Sequence, residues 1–225
     1  MVQTMTKTAG TIQQDVLREL GWDMRVEKTA VGVEVDDGIV TLTGTVGTYA
    51  TRQAAQEAAH RVRGVLDVVN DLTVKVPGVG ALTDTEIAQE VRQTLEWNVW
   101  APSETITTTV ADGVVTLEGA VAYWYQRDEI ERSLRHHRGV RAIINKVTLS
   151  APAIDTSQVR DAIEQALERR ADRIADHLEI SAHNGTVSLS GTVRSWQEKE
   201  NVLAAVRYGQ GVRVVEDHVR IDPWA

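Results

Sequence analysis

The chain has no cysteine, so disulfides and thiolate chemistry are excluded. It has no phenylalanine either, yet it carries six tryptophans, an odd aromatic usage for 225 residues. The opening stretch, Met1 to Leu20, lacks the apolar core of a secretory signal. No hydrophobic run approaches membrane-spanning length. A basic excess is missing too. The net charge is −8, spread as −2, −3 and −3 over residues 1–77, 78–150 and 151–225. That argues against a general nucleic-acid binder. The expectation is a soluble, cytoplasmic protein, an export segment upstream of Met1 aside.

What is present is one stretch written three times. The middle copy reads Asp112-Gly113-Val114-Val115-Thr116-Leu117-Glu118-Gly119-Ala120-Val121. Asp37 to Val46 and Asn184 to Val193 match it position by position. An Asp-Gly or Asn-Gly pair tolerates the positive φ of a tight hairpin turn. The strand after it alternates, with Val115, Leu117, Gly119 and Val121 on the core face and Thr116, Glu118 and Ala120 on the other. Gly44, Gly119 and Gly191 fall on the core face, where a missing side chain lets another backbone come close. A Gly-Val pair follows each copy: Gly64, Gly139 and Gly211 lie 20 residues after those glycines. Matched landmarks at matched spacing predict a repeat of about 75 residues. Units that small are marginal alone, so packing between neighbours should help.

Each repeat opens with a helix. Its stripe is Ile12, Val16 and Leu20, then Ile87, Val91 and Leu95, then Val159, Ile163 and Leu167. Thr83 to Glu86 forms a capping box, Asp155 to Gln158 repeats it, and Thr8 faces only Thr11, which predicts a fraying start. Two strands, a second helix ending at the Gly-Val pair, and a third strand complete the unit. The fold class is α+β: three tandem α-β-β-α-β repeats, each a three-stranded sheet with two helices on one face, an α/β sandwich. The repeats span 1–77, 82–150 and 154–225, joined by short linkers at Pro77 to Gly80 and Ser150 to Pro152. The hairpin strands pair antiparallel, and the right-handed crossover makes a mixed sheet if strands two and three are neighbours.

This pattern resembles the BON domain family (bacterial osmotically induced and nodulation proteins). The resemblance rests on the three Gly-Val-Val-Thr-Leu-x-Gly-like strands, the Gly-Val pairs, and Asn70 and Asn145 after them. Tyr123 to Arg127 and Ser195 to Glu198 strengthen it. The chain is most similar to cytoplasmic proteins with three tandem BON domains. The third repeat departs by carrying Asp217 where the others have Asn. The resemblance implies a non-catalytic binding module linked to osmotic and envelope stress. Some exported members bind anionic phospholipid, and one relative binds potassium ions.

No catalytic motif, P-loop or dinucleotide fingerprint is present, and no cofactor or metal site is expected. The acidic loops Asp36-Asp37-Gly38 and Asp112-Gly113 read as hairpin turns rather than cation sites. His136 and His137 read as a solvated or dipole-complementing pair at a helix end. His177, His183 and His218 share a repeat but no ligand motif. Asn70, Asn145 and Asp217 read as polar groups on the core face that tie down a loop backbone.

Aromatics are the best functional lead. Tyr49, Trp124 and Trp196 align in all three repeats and read as structural anchors. The middle repeat adds Trp97, Trp100, Tyr123 and Tyr125, and only Trp22 matches Trp97 elsewhere. That excess either packs between repeats or makes a contact patch, with Trp124 partly anchored. The leading reading is a non-enzymatic scaffold or binding protein of the stress-response type. The alternative is a peripheral binder of anionic phospholipid membranes. The partner is an unknown protein or lipid, and open sheet edges permit homo-oligomers.

Overall fold

The structure, a computed structural model, describes residues 7–26, 31–75, 82–100, 102–150, 178–209 and 211–224. Repeat 1 contains α1 (Ala9–Trp22), β1 (Val31–Asp36), β2 (Ile39–Val46), α2 (Tyr49–His60) and β3 (Asp67–Val74). Repeat 2 contains α3 (Asp84–Trp97), a 3-10 turn (Ser103–Thr105), β4 (Ile106–Ala111), β5 (Val114–Val121), α4 (Trp124–Leu134) and β6 (Ala142–Leu149). Repeat 3 contains β7 (Leu178–His183), β8 (Thr186–Val193), α5 (Trp196–Arg207) and β9 (Val214–Ile221). The expected first helix of repeat 3, its capping box, His177 and most of both linkers lie outside the described residues.

Each sheet runs hairpin strand, central strand, third strand, with the first pair antiparallel and the second parallel. The central strands β2, β5 and β8 bury Val40, Leu42 and Val46, Val115, Leu117 and Val121, and Val187, Leu189 and Val193. The α1 and α3 stripes, Ile12, Val16 and Leu20 and then Ile87, Val91 and Leu95, complete the cores of repeats 1 and 2.

The hairpin turns have positive φ at both central residues, 45° and 81° for Asp37 and Gly38, which is the primed turn that Asp-Gly and Asn-Gly favour. Each hairpin glycine carbonyl, Gly38, Gly113 and Gly185, accepts from the residue two beyond the Gly-Val glycine, Leu66, Arg141 and Arg213, at 2.8 Å. A Cβ on Gly113 would stand 2.6 Å from the Gly139 carbonyl oxygen, and one on Gly139 would stand 2.7 Å from Ile87 Cδ1. Two of the three sequence landmarks are therefore one contact, stacked beneath the first helix in repeats 1 and 2. This corrects the role expected for the Gly-Val glycine. Helices α2, α4 and α5 end at His60, Leu134 and Arg207, some residues earlier, and the glycine turns the chain into strand three.

Helix starts follow their caps. Thr83 and Glu86 form the reciprocal box. Thr8, Thr48 and Ser195 each accept from the backbone three residues on. The first helix is thus capped despite lacking a box, and Lys7 adds an ion pair to Asp15 at 2.6 Å.

The strand glycine has its own cause. Gly119 sits at φ 138° opposite Ile106, and a Cβ there would overlap the carbonyl oxygen of Thr105. Gly44 and Gly191 share the conformation at φ 124° and 126°. Gly44→Val, Gly119→Val and Gly191→Val should each lose roughly 1–3 kcal/mol or more, from overpacking added to a strained φ. Denaturant melts of the three variants test this, and an unchanged midpoint in all three would refute the strand assignment.

Candidate functional site

Helices α2, α4 and α5 each begin with an aromatic residue, and each of the three packs against the core of another repeat. Tyr49 belongs to the core of repeat 2 and is 4% exposed. Trp124 packs against the core of repeat 3, and Trp196 against the core of repeat 1. The contacts therefore run 1 to 2, 2 to 3 and 3 to 1, which closes a ring. A heterologous contact that closes on itself leaves no open end.

Each key meets the aligned position at the far end of the next repeat's second helix. Trp196 stacks on His60 with centroids 4.1 Å apart, and its Nε1 donates to the Leu66 carbonyl at 2.9 Å. Arg207 lies over Trp124 at 5.7 Å, within cation–π range. Arg135 stands near Tyr49 and pairs with Glu57 across the seam at 3.8 Å. Burial raises the Tyr49 phenol, and its hydroxyl accepts from Gln53 at 2.7 Å. The seam between repeats 3 and 1, which no linker crosses, gains Arg63 donating to the Pro223 carbonyl at 2.9 Å and stacking on Trp224.

Three clefts lie along these seams at equivalent places. The cleft between repeats 1 and 2, about 390 Å³, is polar: Arg25, Thr48, Thr51, Glu57, Arg135 and His136. Arg25 is paired there with Asp23 and Glu57, and its hydrogen bond holds the Asp23 carboxyl well below the usual carboxylate range. The cleft between repeats 3 and 1, about 230 Å³, is lined by Glu57, His60, Arg61, Trp196, Gln197 and Glu200. The cleft between repeats 2 and 3, about 280 Å³, is aromatic: Trp100, Tyr125 and Tyr208, with Glu129 and Arg132.

The middle-repeat aromatics cluster at that third cleft. Trp100 and Tyr125 meet edge to face at 5.9 Å, and Tyr123 stacks on Tyr125 at 5.5 Å. Trp100 is 59% exposed, Tyr123 51% and Tyr125 40%. Trp124 turns inward, and Trp97, 78% exposed, forms no ring pair among the described residues. Tyr123 occupies the position where Thr48 and Ser195 cap the other second helices. In its place Gln126 reaches back to accept from the Ala122 and Tyr123 N–H groups at 3.0 and 3.1 Å. Sequence reasoning missed Tyr208, which aligns with Arg61 and His136, so no aromatic repeat marks it.

The polar positions tie strand to helix, not strand to loop. Asn70 and Asn145 donate to the Arg52 and Arg127 carbonyls, and their Oδ1 atoms accept from Leu72 and Val147. Asp217 cannot donate, but Lys199 stands where the others have Arg and pairs with it at 2.9 Å. The His136-His137 pair is not simply solvated. His136 lines the polar cleft, and His137 bonds Thr94 of α3 at 2.9 Å. Among the described residues no three His, Cys, Asp or Glu side chains cluster as metal ligands, and no helix is long and apolar enough to cross a membrane.

A three-stranded mixed sheet under capped helices, thrice repeated and keyed into a ring, defines a tandem small-domain protein. The BON domain family model matches residues 8–76, 83–151 and 155–223, and the chain belongs to that family. Osmotically-inducible protein Y of Escherichia coli (strain K12) is 30% identical over 124 residues, which cover 53% of this chain and 62% of that relative. The chain thus spans less than two thirds of that relative's length. Two solved structures of CdsD, a structural protein of the type III secretion system of Chlamydia trachomatis, align at 18% identity. They cover 92% and 93% of this chain and 90% and 96% of theirs, with TM-scores of 0.26 and 0.28. Those scores are too low to bear on fold or function.

Removing a key should cost more than removing a cleft aromatic. Tyr49→Ala should lose about 3–5 kcal/mol, as buried aromatic truncation does, and Trp124→Ala and Trp196→Ala somewhat less because both rings are partly exposed. Calorimetry of each variant should show broadened or split transitions as repeats uncouple.

The His60 seam should respond to acid. Burial holds the His60 imidazole below its ordinary 6.5, ahead of the opposing pull of Asp67 and Glu57. The unfolded chain therefore takes up this proton first as pH falls. The stability due to neutral His60 is complete above about 6.5 and is lost as pH drops through the lower folded value. His60→Phe, which keeps the stack, should flatten that part of the melting-temperature profile between roughly pH 7 and 5. Identical slopes in wild type and variant would rule this out.

Proposed function

We propose that this protein is a non-enzymatic, ring-closed BON scaffold of the osmotic-stress type, acting in the cytoplasm, with the exposed aromatics of repeat 2 as its partner-binding surface. One observation carries the surface. At the position where repeats 1 and 3 keep a hydroxyl N-cap, repeat 2 places Tyr123 in solvent beside Tyr125 and Trp100. Replacing a hydroxyl cap typically costs about 1 kcal/mol, and nothing in the fold requires the exchange. Exposed aromatics beside a polar rim are the composition of binding hot spots. The stress assignment draws on the name of the Escherichia coli relative, and the non-catalytic assignment on the resemblance to BON domains. Self-association through strand edges belongs to the same reading, since strands one and three of every sheet are edges.

A second reading has its own observation. Trp22 and Met24 of repeat 1 are exposed at the positions of Trp97 and Val99, so two helix ends present an aromatic with an aliphatic. Such pairs suit a membrane interface. The net charge of −8 opposes anionic headgroups, which places this reading second.

Trp100→Ala combined with Tyr125→Ala should abolish capture of protein partners while changing stability by under about 1 kcal/mol. Flotation with anionic vesicles at low and physiological salt separates the readings. Clear flotation of the wild type that Trp22→Ala and Trp97→Ala remove would put the membrane reading first.

A further inference from the structure

We infer that the cleft between repeats 2 and 3 binds a quaternary ammonium zwitterion, a trimethylated amine that also bears a carboxylate. The inference rests on the aromatic group of repeat 2 being a free binding surface and names a ligand class for it. A trimethylammonium group has no N–H to donate, so hydrogen-bond acceptors cannot select it. Aromatic rings can, because the negative face of the ring attracts the diffuse charge while the methyl groups pack against it.

The cleft supplies that chemistry. Trp100 and Tyr125 stand at 84° to each other, two walls of a corner, and Tyr208 arrives from repeat 3 as the third wall. Two carboxylates stand beside the walls, each with an arginine next to it. Glu129 lines the cleft, and Asp128 accepts from the Tyr208 hydroxyl at 3.1 Å, which fixes that ring. Arg132 also lines the cleft, 3.3 Å from Glu129, and its side chain is 65% exposed, placed to meet a ligand carboxylate from the solvent side. A cationic group and a carboxylate on one small ligand match this pair of neighbouring opposite charges.

Beyond the Tyr208 hydrogen bond to Asp128 across the seam, architecture does not require these rings. The positions aligned with Trp100, Tyr125 and Tyr208 line the polar cleft as Arg25, Ala50 and His136, and Gln197 and Arg61 line the cleft between repeats 3 and 1. The rings that hold the seams are Tyr49, Trp124 and Trp196, a separate set. Three aromatics converge at one of three equivalent clefts, from two repeats, on surface that the ring leaves open.

The full chain titrated with glycine betaine, followed by tryptophan fluorescence and calorimetry, tests the inference. Saturable binding is expected, with a dissociation constant on the order of millimolar for so shallow a site. Trp100→Ala, Tyr125→Ala and Tyr208→Ala should each weaken it roughly five- to thirtyfold, the worth of one cation–π wall. The uncharged-head isostere 3,3-dimethylbutanoate should bind far more weakly. Equal binding of the isostere, or no binding of glycine betaine, overturns the inference. Choline lipids carry the same head group, so phosphatidylcholine vesicles form a second arm. Vesicle binding without binding of free glycine betaine also overturns it. Partner capture that Trp100→Ala with Tyr125→Ala removes, in a protein that ignores glycine betaine, leaves the contact surface standing and sinks only the ligand class.

Discussion

Everything above the single repeat depends on one insertion, the aromatic residue at the start of the second helix lodged in the next repeat. A unit of about 75 residues buries too small a fraction of its surface to be secure alone. Lending one ring to a neighbour and receiving one from the other side enlarges each core without lengthening the chain. Tyr49 shows the limit of this, 4% exposed inside a core that is otherwise all repeat 2. Because the contact is head to tail, it would propagate without end unless the angle closed. Three copies close it, and Trp196 reaches the Leu66 carbonyl of repeat 1.

The three repeats keep this constraint while changing what surrounds it. The residue facing the key is Arg135, Arg207 or His60: two permanent cations and one that titrates. The anchor on strand three is Asn with Arg in two repeats and Asp with Lys in the third, so a charge change on one side is met by a charge pair across it. The hairpin and Gly-Val glycines do not vary at all. An added Cβ would meet a backbone carbonyl oxygen at Gly113 and the packed Ile87 side chain at Gly139, and both positions hold a positive φ that L side chains rarely adopt. Positions with positive φ in a crowded turn are fixed, while the strand-three anchor and its helix partner change together.

That division also governs what could be read from the sequence. Alternation, turn dipeptides and capping residues are local, so the strands, hairpins and the Thr83 box were legible. The helix-two end was misplaced because a glycine with positive φ serves equally as a helix cap or as a turn into a strand. The repeat offset showed that Tyr49, Trp124 and Trp196 are equivalent, but an offset says nothing about destination. Whether a ring packs in its own repeat or the next is decided by the angle between repeats, which no local pattern encodes. Tyr208 was invisible for a related reason. It matters through what stands across a seam, and its aligned residues, Arg61 and His136, share none of its chemistry.

Within a repeat almost every recurring landmark is committed to holding sheet, hairpin and helix together, and a substitution there costs stability first. The seam clefts are free of that commitment. They border the keys, take in Trp196 and the facing residues Arg135 and His60, and are each built from two repeats. One has become polar and arginine-lined, one is bounded by Trp196 and carboxylates, and one is walled by aromatic rings. A tandem array closed into a ring therefore carries three clefts of different chemistry on one backbone plan. The unequal distribution of tryptophan and tyrosine along the chain follows from the third of these, where Trp100, Tyr125 and Tyr208 come together.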